Sequence, residues 1–121
     1  MQLDYLLFDF TDEESGRASF DAMASVFPDR LPALVGEIEA VLRWAHGEFG
    51  APSASADEGE WDFDLHGTVG ADLPLDIAYD ARSGRVALAR PHGDGRTTLT
   101  LTIGGSRVFC DSFSMAFHLS D

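Results

Sequence analysis

The chain has no lysine, no asparagine, only one cysteine and no apolar run of membrane-spanning length. Without a second cysteine, Cys110 closes no internal disulfide, and beside Phe109 and Phe113 it reads as a small buried hydrophobe, which suits a reducing compartment. The opening Met1-Gln2-Leu3-Asp4-Tyr5 lacks the basic segment of a secretory leader. With no spanning run either, the expectation is a cytoplasmic protein without a membrane partner. The missing lysines carry no functional message, because an all-arginine complement is what a GC-rich coding sequence produces.

Positive charge is scarce: 8 bases stand against 21 acids, a formal net charge of −13. Polyanions are therefore poor partners, which argues against nucleic acid and anionic membrane surfaces and permits a basic protein or a cation. No cofactor-binding motif and no nucleophile–base pair can be named, so no cofactor is implied.

What is present is material for one core. A chain of 121 residues that is 45% hydrophobic, with nine phenylalanines, is the size of a single domain over residues 1–121 and rich enough in apolar side chains to fold without metals or disulfides. The clearest local pattern is Glu60-Trp61-Asp62-Phe63-Asp64-Leu65-His66, where polar and apolar residues alternate. This is a half-buried strand with Trp61, Phe63 and Leu65 inward and Glu60, Asp62, Asp64 and His66 on the opposite face.

Around it the chain alternates similarly. Residues 3–10 read as an interior strand, and a Gly16 turn leads to 19–27, which fits a strand (Phe20, Ala22, Ala24 and Val26 together) or a helix, with the strand preferred. Leu31, Leu34, Val35, Ile38, Val41, Leu42, Ala45 and Phe49 share one helical face; Pro32 suits its first turn, Gly50 its end, and Glu39 and Arg43 are spaced to pair. Trp44 falls on the polar flank of that helix, either covered by a neighbouring element or serving as a partner-binding anchor. Residues 51–59 have a loop's composition. Strands follow at 75–80, with Asp76 and Asp80 outward, at 85–90, and at 98–103, with threonines outward. Ser106 then caps a helix that groups Phe109, Cys110, Phe113, Ala116 and Phe117.

The fold class expected is α+β: an antiparallel sheet, made of an N-terminal strand or hairpin and a four-strand meander, covered on one face by helices near 31–49 and 106–117. Meander order would set Asp62 and Asp64 beside Asp76 and Asp80 on the solvent face. Three readings of these acids compete. They form a solvated face that serves solubility, or a metal site built from Asp62, Asp64 and His66, or a docking face for a basic partner. The docking face, of Glu60, Asp62, Asp64, Asp76 and Asp80 with Trp44 as an anchor, is the preferred functional reading. Small acidic proteins that neutralise a basic enzyme, as immunity partners of nuclease toxins do, share this charge and size. A divalent-metal-dependent, hydrolase-like enzyme is the alternative. Gly104-Gly105-Ser106-Arg107 could form an anion nest, though a turn and N-cap explain it more simply. His46, His92 and His118 stand where histidines often have no chemical role. Two copies meeting through the acidic face would bring like charges together.

Overall fold

A computed structural model of the chain describes residues 3–13, 16–52, 60–70, 73–89, 95–117 and 119. Among them run the strands β1 (Asp9–Asp12) and β2 (Ala18–Val26), helix α1 (Leu31–Phe49), strands β3 (Trp61–Val69), β4 (Leu73–Leu75), β5 (Ile77–Asp80), β6 (Arg85–Leu88) and β7 (Thr97–Gly105), and helix α2 (Arg107–Ala116). The class is α+β, as expected. The strand order is not a meander. Strands β1-β2-β7-β3-β4 form one antiparallel sheet, and β5-β6 form a separate hairpin.

The physical reason lies in strand length and composition. β2, β3 and β7 each run nine residues and pair along their whole length, whereas β4, β5 and β6 have three or four. β7, with Leu99, Leu101 and Ile103 fully buried on one side and threonines on the other, is the best strand former in the chain and takes the centre. The expected strand at 75–80 breaks at Asp76. Leu75 ends β4, an edge strand on β3 that starts earlier, at Leu73, and tolerates Pro74, while 77–80 pairs with β6 in the separate hairpin.

The ambiguous stretch at 19–27 is strand as preferred, within β2 and ending at Val26, with Phe20, Ala22 and Val26 buried. The N-terminal stretch differs from expectation in two ways: only Asp9–Asp12 is strand, and it is the outer edge. Residues 4–6 are instead held by a side chain. The buried carboxylate of Glu37 accepts hydrogen bonds from the backbone N–H groups of Asp4 (2.7 Å), Tyr5 (3.0 Å) and Leu6 (3.0 Å). That satisfies three donors of an irregular segment and lets Leu6 enter the core.

Helix α1 covers the apolar sheet face with Leu34, Ile38, Val41, Leu42 and Ala45, and Gly50 ends it at φ 79°. Glu39 and Arg43 both reach past their spacing to the β5-β6 hairpin. Val86 N–H donates to Glu39 Oε2 (2.8 Å), and Arg43 Nε donates to the Gly84 carbonyl (2.7 Å). These two contacts fasten a two-stranded unit that is marginal alone. Helix α2 starts at Ser106, whose hydroxyl accepts from Phe109 N–H (3.2 Å), and buries Phe109, Cys110 and Phe113. A wider reach at Gly105 is impossible, because a Cβ there would collide with the Glu60 carbonyl and lie 2.8 Å from Trp61 Cα. Most of the expected loop at 51–59, and the positions of Arg90, His92 and His118, lie outside the described residues.

Candidate functional site

Cross-strand register decides which side chains share the solvent face of the sheet, because directly opposite residues project to the same side. One transverse row reads Asp9, Asp21, Thr102, Asp64, and the next reads Thr11, Ser19, Gly104, Asp62. Beyond them lie Met23, Thr100 and His66, then Ser25, Thr98, Thr68 and Pro74. The acids therefore gather at one end of the face, over β1, β2 and β3, and the threonines of β7 run through the middle. Asp9 and Asp21 are directly opposed, a like-charge pair that weakens the sheet. The Thr102 hydroxyl donates to Asp21 Oδ1 at 2.7 Å.

Where β7 narrows at Gly104 the face is dished. A depression of about 220 Å³ is bounded by Glu13, Arg17, Ser19, Asp62, Asp64 and Thr102. Gly104 keeps it open: a Cβ there would lie 2.6 Å from the Ala18 carbonyl and 2.9 Å from Ser19 Cβ.

The residues expected to form the site separate into groups. Asp62 and Asp64 stand on this face, Asp62 half-buried and accepting from Phe63 N–H (2.7 Å), and Asp64 exposed. Asp64 Oδ2 lies 3.2 Å from His66 Nδ1. Glu60 is engaged inside the fold: its Oε2 accepts from the Ser106 hydroxyl at 2.6 Å, and its carbonyl accepts from Ser106 N–H. A carboxylate thus already serves the N-terminus of α2, where the anion nest was considered. Asp76 and Asp80 are not on a strand hydrogen-bonded to β3, which β7 and β4 flank; β5 belongs to the separate hairpin and meets β3 through Tyr79 and Phe63, with ring centroids 6.4 Å apart. Asp80 instead organises its own turn, accepting from Arg82 N–H (3.0 Å) and the Ser83 hydroxyl (3.1 Å). Trp44 lies on the other side of the sheet in an aromatic cluster, with ring centroids of Phe49, Phe109, Phe113 and Phe117 at 5.6–5.9 Å.

Among the described residues no three His, Cys, Asp or Glu side chains are grouped to hold a metal ion. Asp64 and His66 meet as a pair, and Asp62 turns to its own strand. His46 packs between Trp61 and Tyr79, with ring centroids at 5.0 Å from each, and its Nδ1 lies 2.8 Å from the Leu42 carbonyl. Asp9 and Asp21 are the acids that sequence reasoning left out. Asp21 alternates with Phe20 and Ala22, so its side was legible; that β2 and β3 share β7 as a neighbour was not.

Compared with models of known families, with curated proteins and with solved structures, the chain matches none. No helix among the described residues is long and apolar enough to cross a membrane.

Proposed function

We propose that this protein is a non-enzymatic binding module that docks a basic protein partner on the acidic end of its open sheet face. The observation that supports this reading is the pair of adjoining rows carrying Asp9, Asp21, Asp64 and Asp62 on a face that neither helix covers. Such an arrangement costs stability in the free protein, and a cationic surface laid on it relieves the repulsion and is drawn in by the long-range field. The net charge of −13 adds to that steering and turns polyanions away.

A partner whose own ligand is polyanionic presents the basic surface that this face complements. Covering it would block the partner, so the role follows the immunity or inhibitor pattern. The reading places the protein in the cytoplasm, supported by a buried, free Cys110 as the single cysteine.

The test is titration calorimetry and stopped-flow association with small basic proteins as probes, using the native chain and the Asp62→Asn/Asp64→Asn double variant. Affinity is expected to fall as salt rises, and the variant's on-rate to drop about tenfold at low salt. Binding indifferent to salt and to both substitutions would contradict the proposal.

A further inference from the structure

Among the described residues, several exposed strand edges of this fold are blunted in different ways. β1 carries Asp9 and Asp12, both exposed; β4 is three residues long and contains Pro74; on the hairpin, Glu39 occupies Val86 N–H. An exception is the far half of β2. β1 pairs only with Ala18–Asp21, which leaves Ala22–Val26 with no strand on that side among the described residues.

The bonding pattern shows which groups are left over. Glu13 N–H donates to the Arg17 carbonyl (2.9 Å), so in an antiparallel ladder the next hydrogen-bonded pairs are Thr11 with Ser19 and Asp9 with Asp21. The same alternation points the N–H and C=O of Met23 and Ser25 outward, while Ala22 and Ala24 bond to β7. These are two donors and two acceptors on an edge of uncharged sequence from Ala22 to Pro28. Its apolar side chains are also on show: Met23 is 70% exposed and Phe27 is 51% exposed.

We infer that this edge is a self-association surface, on which β2 of a second copy of this chain pairs antiparallel to form one sheet continuous across a dimer. Two observations select a second copy over another partner. An antiparallel pair is two-fold symmetric, so the donors and acceptors of Met23 and Ser25 meet an identical set. The ends of the edge are also complementary in charge. Arg96 lies over the Phe27 ring, 4.6 Å from its centroid, at one end, and Asp21 with Asp9 stands at the other. The two-fold brings the Arg96 end of each copy to the aspartate end of its mate. The acidic docking faces then lie side by side rather than face to face, so the like charges that disfavour a face-to-face dimer stay in solvent.

Sedimentation velocity of the full chain over a wide concentration range at physiological ionic strength tests this, with Met23→Glu and Ser25→Pro as variants. The native chain is expected to shift from monomer to dimer with rising concentration, and each variant to weaken the dimer at least about tenfold. Met23→Glu places like charges across the two-fold at an exposed position, so it decides the matter even if Ser25→Pro fails to fold. A chain that stays monomeric into the millimolar range overturns the inference, as does a dimer insensitive to both variants. Protection of the Met23 and Ser25 amides from hydrogen exchange on adding a basic protein probe to a monomeric chain would assign the edge to that partner and also overturn it.

Discussion

The Thr102 hydroxyl donates to Asp21 Oδ1 at 2.7 Å, and the register places Asp64 on the other side of the same threonine. A central strand of threonines thus holds the acids of β2 and β3 about two strand spacings, roughly 10 Å, apart. Across β1 and β2 there is no such spacer, and Asp9 faces Asp21 directly.

The direct pair gives the first prediction. Asp9→Asn keeps the shape of an exposed edge position and removes one of two opposed charges. It should stabilise the protein by about 0.5 kcal/mol at low ionic strength, with the gain shrinking as salt is added. Urea unfolding at two salt concentrations checks this; a loss of stability would show that Asp9 makes a favourable interaction outweighing the repulsion.

Glu37 gives the second. Its two oxygens accept from three consecutive backbone N–H groups, and a glutamine would present an NH₂ group to part of that set. Glu37→Gln should cost about 2 kcal/mol and raise the hydrogen-exchange rates of Leu6 and its neighbours ahead of the sheet amides. Unchanged exchange at Leu6 would mean that the segment is held by its apolar contacts alone.

A third concerns pH. Burial pushes the Cys110 thiol above its ordinary value, and burial likewise raises Tyr79. A group whose pKa is higher folded than unfolded favours the folded state below the unfolded value, and that stability is lost as pH climbs through the folded one. Thermal midpoints should therefore decline above the unfolded thiol's pKa of about 8.5. Cys110→Ala should decline less steeply, and native Cys110 should resist alkylation until the chain unfolds. Rapid alkylation of the folded protein would refute the burial argument.

How much of this was legible beforehand follows from what periodicity encodes. Alternation at 61–66 and 98–103 and the helical stripe at 31–49 announced their elements and the faces they bury, because a period of 2 or 3.6 reports direction directly. Ser106 announced its helix through capping chemistry. Alternation says which face a residue takes but not which strand lies beside it. For that reason alternation alone suggests a meander, whereas β7 returns from the end of the chain to lie between β2 and β3 and β5 with β6 forms a hairpin of its own. Spacing misled similarly at Glu39 and Arg43. They are neighbours along the helix, yet each binds backbone of a hairpin distant in sequence. Trp44 looked out of place on the polar flank only because the aromatic cluster built by α2 could not be foreseen.

On the proposed function, position on the open face, and not charge alone, makes the binding surface. This is tested most directly by comparing two charge-matched variants for affinity toward the same small basic protein probe. One carries Asn at Asp9, Asp21, Asp62 and Asp64. The other carries Asn at the exposed Asp4, Asp29 and Asp111 and Gln at the exposed Glu48, on the helices and the segment bonded to them. The account predicts a loss of at least about tenfold in affinity for the first and less than about twofold for the second. Equal losses in the two would reduce the face to general acidity and contradict it.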